Sequence, residues 1–250
     1  MKKNKIIIEN ILLSYFDNYL ENKKTLLFLH GWGCSADTML SLAQKFTKTH
    51  RVLLLDLPGF GESEITPHGL DLKSYTQIIF AFLKKLKLNS INIIGHSFGG
   101  RIGIYFAFLY PQELSSLTLI NNGGIKNNSW KIKFIKKIAQ IGKFLKLHFF
   151  RDLFYKIFIT ENDALQVKDN LAMRKTFKKI VEEDLQKKAT KIQIKTLILW
   201  GEKDTETPLW QGKIWKKLIK NSIMFISPGD HFFFLKNSNW VYEKLVKFLD

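Results

Sequence analysis

Ser97 is the side chain of this sequence best placed to act as a nucleophile. It lies in Ile91–Gly100, INIIGHSFGG, where an apolar strand pattern leads directly into a helical one and Gly95 and Gly99 flank the serine as GxSxG. A sharp strand-to-helix turn lifts a central serine clear of the strand, and the flanking glycines remove Cβ atoms that would collide there. This context predicts a nucleophile, with a capping serine in a glycine-rich turn as the simpler alternative.

A nucleophilic serine needs a base, and the base needs an acceptor that orients it. Asp204 in WGEKDTETP and His231 in SPGDHFFF each follow a strand pattern, so both are expected at the carboxyl edge of one sheet. In isolation they could equally be a turn aspartate and a loop histidine, but the order Ser97, Asp204, His231 predicts acid and base. Three neighbouring carboxylates are weaker alternatives to Asp204: Glu202, Glu206 and Asp230.

Backbone N–H groups that could stabilise a developing oxyanion are predicted at two places. The HGWG segment at residues 30–33 follows a strand pattern and suggests the amide of Trp32, and the residue after the nucleophile, Phe98, supplies the second amide. His30 precedes the glycine turn and is interpreted as structural, and His96 is interpreted as a support for the serine turn.

The elements that would position these residues alternate between short apolar runs and longer helical patterns, which predicts a mostly parallel, eight-stranded sheet with helices on both faces. The first two runs are separated only by Glu9 and Asn10 and are expected to form an antiparallel pair at one edge. The predicted strands are 5–8, 11–16, 25–30, 51–55, 91–95, 116–120, 196–200 and 223–226. The predicted helices are 36–46, 71–86, 97–109, 209–219 and 238–248.

One stretch, residues 121–195, is far longer than a single crossover needs. We therefore predict a core formed by residues 1–120 and 196–250, with residues 121–195 inserted as a helical cap. Phe134, Ile135, Ile138, Ile141 and Leu145 keep helical spacing inside it. Nine basic residues and one acidic residue between Ile125 and Thr160 give this segment a charge of +8.

Composition bounds the remaining functions. The net charge is +17, but only four of the 39 basic residues are arginines, the side chain suited to bidentate phosphate and base contacts, so nucleic-acid binding is not expected. Cys34 is the single cysteine, which excludes an intramolecular disulfide and a cysteine-based zinc site and is interpreted as a bystander. No apolar run reaches the roughly 20 residues of a membrane span. These features favour a soluble cytoplasmic protein without a cofactor or metal.

Five motifs occur in a fixed order: HGWG at 30–33, DLPGFGES at 56–63, GHSFGG at 95–100, GEKD at 201–204 and GDHF at 229–232. Together they resemble the α/β-hydrolase superfamily over nearly the whole chain. Within it the sequence is similar to small capped serine esterases, including pimeloyl-acyl-carrier-protein methyl ester esterases, and to carbon–carbon bond hydrolases. The resemblance implies the triad and oxyanion roles given above, and a role in loop geometry for Asp56, Gly59, Gly61 and Ser63.

The expected activity is cleavage of a carboxylic ester, or a similar acyl compound, through an acyl-enzyme on Ser97. A carbon–carbon hydrolase acting on a diketone and a weakly catalytic ligand-binding receptor of the same fold stay open as alternatives. The expected partner is a small-molecule substrate. The basic cap suggests docking of an acidic acyl carrier protein at Lys133, Lys136 and Lys137, although a solvated lysine face is the favoured interpretation and an anionic membrane surface is a third.

Overall fold

A single eight-stranded sheet organises the part of the chain that the computed structural model describes, residues 1–126 and 170–250. Its order is β1-β2-β4-β3-β5-β6-β7-β8. The strands are β1 (Lys2–Ile8), β2 (Ile11–Asp17), β3 (Thr25–Leu29), β4 (Arg51–Leu55), β5 (Ile91–His96), β6 (Leu114–Ile120), β7 (Thr196–Gly201) and β8 (Ser222–Ser227). The predicted antiparallel pair β1–β2 is confirmed at one edge, and the pairs from β4–β3 through to β7–β8 are parallel.

The central strands are buried on both faces, because successive side chains of a strand point to opposite sides of the sheet. In β3, Leu27 and Leu29 pack into one apolar cluster while Leu26 and Phe28 pack into the other. In β7, Ile198 and Trp200 belong to the first cluster, and Leu197 and Leu199 to the second. This burial accounts for the continuous apolar runs of the sequence, and it leaves the carboxyl ends of the strands to carry polar groups.

Helices cover both faces of the sheet. They are α1 (Asp37–Gln44), α2 (Leu72–Lys85), α3 (Phe98–Leu109), α4 (Leu171–Glu182), α5 (Gln186–Ala189), α6 (Leu209–Leu218), α7 (Phe233–Lys236) and α8 (Ser238–Leu249). The five helices predicted for the core are present with small shifts at their ends. The one-turn helix α7 and the 3-10 turn at Pro111–Glu113 were not predicted, because they are too short to show periodicity.

Helix α4 is the described part of residues 121–195 that lies against the loops at the carboxyl edge. The Leu70 N–H donates to Thr176 Oγ1 over 2.8 Å, and a guanidinium nitrogen of Arg101 on α3 donates to the Ile180 carbonyl over 2.8 Å. The first bond attaches α4 to the segment that precedes α2, and the second attaches it to α3, which follows Ser97. The helical pattern predicted at 134–145 and the lysines proposed for carrier docking lie outside the described residues, and the cap assignment remains a proposal.

Among the helices of residues 1–126 and 170–250, none is long and apolar enough to cross a membrane.

Candidate active site

Ser97 occupies the tight turn between β5 and α3. Its φ of 48° lies in the left-handed region, which is strained for a residue with a Cβ. The Ser97 N–H donates to the Ile120 carbonyl on the adjacent strand, and the Gly99 N–H donates to the His30 carbonyl. A Cβ on Gly99 would overlap the Leu29 backbone, so glycine is required there. The turn therefore holds a partly exposed serine at the carboxyl edge of the sheet.

Asp204 and His231 come together from two separate loops. His231 Nδ1 lies 2.8 Å from Asp204 Oδ2, and both side chains are almost fully buried. Because an ionised carboxylate can only accept, Nδ1 carries a proton and donates it. That assignment leaves Nε2 as the ring nitrogen able to accept or return a proton. The rings of His231 and of His96, the neighbour of Ser97, have centroids 4.8 Å apart.

Thr207 completes the surroundings of Asp204 and was not identified from the sequence. The backbone N–H groups of Glu206 and Thr207 each donate to Asp204 Oδ1 over 2.9 Å. The Thr207 hydroxyl lies 2.7 Å from Oδ2. Counting His231, four donors therefore surround one buried carboxylate and fix its orientation. The spacing of Asp204 and Thr207, three residues apart in a loop, is a turn signal that could have indicated this role.

Asn121 ties the acid and base loops together and was likewise missed. It is fully buried directly after β6, and its φ is 45°. Its amide nitrogen donates to the carbonyls of Asp230 and His231 over 3.1 and 2.9 Å, while its Oδ1 accepts the Gly201 N–H over 2.8 Å. The signal in the sequence was a polar side chain directly after a parallel strand, because ligands bind at that edge of the sheet.

His30 fixes the orientation of the peptide that carries the Trp32 N–H. His30 Nδ1 donates to the Gly31 carbonyl over 2.7 Å, and its Nε2 accepts the Leu57 N–H over 3.0 Å. In a trans peptide the carbonyl and the following N–H point in opposite directions, so the Trp32 N–H faces away from His30. A Cβ on Gly31 would lie 3.5 Å from Ser97 Cβ, which places this loop beside the nucleophile.

The amides of Trp32 and Phe98 have no hydrogen-bond acceptor among residues 1–126 and 170–250. The first N–H groups of a helix lack intrahelical partners, which explains Phe98 at the start of α3. Burial lowers the pKa of His30 to about 4, although its bond to the Gly31 carbonyl opposes this. His30 is therefore a neutral structural group near neutral pH.

His96 supports the loop that carries His231. Its Nε2 donates to the His231 carbonyl over 3.0 Å, and within the described part of the chain its Nδ1 has no partner. Burial lowers the pKa of His96 well below its ordinary value, and the neighbouring His231 adds to this lowering. His96 is thus a neutral positioning group.

The family model of the α/β-hydrolase fold matches residues 24–172, which is more than half of the chain. This chain belongs to the α/β-hydrolase family. The monoacylglycerol lipase ABHD6 of Mus musculus is 26% identical over 227 residues, which cover 80% of this chain and 68% of that protein.

Two further comparisons define the extent of the similarity. The dihydrolipoyllysine-residue acetyltransferase component of the acetoin cleaving system of Pseudomonas putida is 33% identical over 114 residues, 46% of this chain. The chain spans 31% of that protein's length. A bacterial membrane phospholipase A has a crystal structure that matches with a TM-score of 0.80 at 22% identity, covering 100% of this chain and 86% of that one. At this identity the structural match shows the fold alone.

None of the three carboxylates considered as alternatives to Asp204 bonds to His231 Nδ1 in this α/β-hydrolase. Asp230 is exposed, and its side chain accepts the Phe232 N–H over 2.9 Å and lies 3.4 Å from Lys236 Nζ. Glu202 is exposed at the start of the acid loop. Glu206 is different, because its Oε2 lies 3.4 Å from His231 Nε2, on the opposite side of the ring from Asp204.

An aromatic cluster lies against residues 30–33, the predicted oxyanion loop. The Trp32 ring contacts the rings of Phe60, Phe98 and Phe177 at centroid distances of 4.9, 5.4 and 5.0 Å. Phe60 comes from the DLPGFGES segment and Phe177 from α4. Asp56 fixes that segment, since its carboxylate accepts the N–H groups of Ala36 and Glu62. Among the described residues, no group of three or more histidine, cysteine or acidic side chains could hold a metal ion.

Proposed function

We propose that this α/β-hydrolase is a serine hydrolase that cleaves carboxylic esters through an acyl-enzyme on Ser97. One observation carries the proposal: the 2.8 Å bond between His231 Nδ1 and Asp204 Oδ2 forms at the same sheet edge as a serine held at positive φ. The pair leaves His231 Nε2 as the proton acceptor, and the serine turn presents a hydroxyl at the strand end. Acyl transfer is the chemistry that needs this combination.

In the first half-reaction, the Ser97 hydroxyl attacks the ester carbonyl carbon and His231 Nε2 takes its proton. The resulting imidazolium is stabilised by Asp204, whose orientation is fixed by four donors. The N–H groups of Trp32 and Phe98 donate hydrogen bonds to the negatively charged oxygen that forms from the carbonyl. Two such donors lower the barrier by several kcal/mol, on the order of 3 kcal/mol for each.

In the second half, His231 gives its proton to the departing alcohol oxygen, and the bond between this oxygen and the acyl carbon breaks. Water then attacks the acyl carbon while His231 accepts its proton. The bond between Ser97 Oγ and the acyl carbon breaks, His231 returns the proton to Oγ, and the acid is released. His30 contributes by holding the Gly31 carbonyl, because rotation of this peptide would turn the Trp32 N–H away from the oxyanion.

The aromatic cluster favours an apolar acyl group. Trp32 supplies an oxyanion N–H through its backbone while its ring packs on Phe60, Phe98 and Phe177, so apolar surface lies next to the reacting carbonyl. Burial of a methylene on such a surface contributes about 0.8 kcal/mol. The name of the related mouse lipase, a monoacylglycerol lipase, supports an acyl ester with a small alcohol as the substrate class.

An acidic acyl carrier protein is the macromolecular partner that the basic charge best fits. The lysines first considered for docking lie outside the described residues, but α4 adds three exposed lysines beside the oxyanion loop: Lys175, Lys178 and Lys179. Helix α4 also presents Phe177 to Trp32 at 5.0 Å. A negatively charged carrier approaching this helix would deliver its acyl group to the aromatic cluster.

The test is hydrolysis of p-nitrophenyl esters of increasing acyl length by the wild type, Ser97→Ala and a matched control, Ser115→Ala. Ser115 is exposed at the opposite end of β6. We expect turnover and fluorophosphonate labelling in the wild type and Ser115→Ala, and loss of both in Ser97→Ala with an unchanged circular dichroism spectrum. A vinylogous diketone is offered in parallel. Turnover of the diketone alone, or near wild-type ester turnover by Ser97→Ala, would contradict the proposal.

A further inference from the structure

A second carboxylate faces the proton-transferring nitrogen of the predicted base. Glu206 Oε2 lies 3.4 Å from His231 Nε2, whereas Asp204 holds Nδ1 on the other side of the ring. The position of Glu206 is fixed by the acid itself, because the Glu206 N–H donates to Asp204 Oδ1 over 2.9 Å. The side chain of Glu206 is 40% exposed, so its charge faces the solvent-accessible side of the site.

This geometry locates Glu206 relative to the ester. The departing alcohol oxygen must come within about 3 Å of Nε2 to receive its proton. An oxygen at that distance lies at most about 6.4 Å from Glu206 Oε2, given the 3.4 Å between Oε2 and Nε2. Substituents carried on the alcohol can lie closer still. The acyl group is held by Ser97 and the oxyanion amides, so the carboxylate is nearer to the alcohol part.

Glu206 does not serve as an alternative orienting acid. An orienting acid must bond the ring nitrogen that faces away from the nucleophile. Asp204 already bonds this nitrogen, Nδ1, and its own carboxylate oxygens are surrounded by donors. A carboxylate at Nε2 instead competes with Ser97 for that nitrogen. When the leaving group receives its proton from Nε2, the alcohol part of the ester lies on the same side of the ring as this carboxylate.

We propose that Glu206 determines specificity for the alcohol part of the substrate, favouring cationic or hydrogen-bond-donating alcohols and disfavouring anionic ones. This inference rests on the proposed ester hydrolysis at Ser97. The interaction is Coulombic and partly screened, because two unit charges about 6 Å apart at a half-exposed site change a rate about three- to tenfold.

The test uses three butyrate esters with the same acyl group and alcohols of similar size: the choline ester, its neutral 3,3-dimethylbutyl isostere and the anionic carboxymethyl ester. The enzymes are the wild type, Glu206→Gln, Glu206→Lys and Glu202→Gln. The last variant removes an exposed carboxylate from the same loop and so controls for net charge. Values of kcat/KM are measured at low salt and again at about 300 mM salt, where screening shortens the range of the field.

We expect the wild type and Glu202→Gln to prefer the choline ester over the neutral ester, and the neutral ester over the anionic one, by about three- to tenfold per step. Because the carboxylate lies next to Nε2, each charged ester is compared with the neutral ester of the same enzyme. In Glu206→Gln these ratios of kcat/KM should lose the order, and in Glu206→Lys the order should reverse. An order unchanged in Glu206→Gln would overturn the inference while Ser97-dependent turnover upheld the proposed function. Absence of Ser97-dependent turnover of all three esters would overturn both.

Discussion

Mild acid should destabilise this fold through His30 and His96, the two neutral imidazoles behind the site. Burial lowers the pKa of His30 from 6.5 to about 4, and it also lowers the pKa of His96 well below its ordinary value. Below about pH 6.5 the unfolded chain binds protons at both residues while the folded chain does not. The free energy of unfolding therefore falls as the pH decreases through 6.5, and for His30 the loss levels off below about pH 4.

The size of the loss follows from the same values. Between about pH 7 and pH 5, a pKa lowered from 6.5 to about 4 costs His30 about 1.8 kcal/mol of folding free energy. His96 adds to this loss in the same direction, because burial also lowers its pKa. The loss from His30 alone is a measurable part of a typical folding stability of about 5–15 kcal/mol. Exposed carboxylates contribute little in this range, because they stay ionised in both states above about pH 5.

Urea denaturation at several pH values between about 5 and 7 measures this loss. His30→Asn removes one titrating imidazole, so the stability gap between wild type and variant should narrow by about 1.8 kcal/mol from pH 7 to pH 5. His68→Asn, at an exposed histidine, is the matched control and should track the wild type. A stability gap between wild type and His30→Asn that is independent of pH would refute the assignment of His30 as a buried neutral group.

Three further predictions concern the site. Asp204→Asn should lower kcat for a p-nitrophenyl ester by about 10⁴-fold, because an amide no longer fixes the imidazole tautomer, while Asp230→Asn retains activity; equal losses would contradict the choice of acid. Thr207→Val removes the hydroxyl that lies 2.7 Å from Asp204 Oδ2, and it should lower kcat about tenfold with KM unchanged. Thr205→Val, at an exposed residue, should leave kcat unchanged. Steady-state kinetics of both variants tests this. For an acyl-carrier-bound ester, kcat/KM should fall several-fold from about 20 to 300 mM salt while the free ester is unaffected, and equal salt responses would exclude docking. Charge reversal at Lys175, Lys178 and Lys179 on α4 should lower kcat/KM for the carrier-bound ester in the same way. Charge reversal at Lys213, Lys216 and Lys217 on α6 should leave it unchanged.

The sheet was predictable because its strands obey local rules. Apolar runs such as Thr196–Trp200 can only be buried on both faces, and the short connection between β1 and β2 leaves only antiparallel pairing. Parallel strands deliver their following loops to one edge, so Ser97, Asp204 and His231 could be placed near each other without knowing any distance.

The supporting contacts could not be predicted, because they depend on tertiary structure. Asn121 bonds to Gly201 and His231, which lie 80 and 110 residues away along the chain. Phe177 reaches Trp32 from α4, which bonds to Leu70 before α2 and to Arg101 on α3. Whether Glu206 or Asp204 takes Nδ1 depends on side-chain directions within one loop, and sequence spacing does not encode these directions.

Trapping the acyl-enzyme tests most directly whether Ser97 is the nucleophile. The wild type is mixed with a slowly hydrolysed p-nitrophenyl ester, quenched in acid during the first turnovers and digested, and the peptide containing Ser97 is examined by mass spectrometry. We predict a mass increase equal to the acyl group, located on Ser97, with a burst of p-nitrophenol of about one equivalent per enzyme and neither signal in Ser97→Ala. An acyl group found on another residue, or a burst that persists in Ser97→Ala, would contradict Ser97 as the nucleophile.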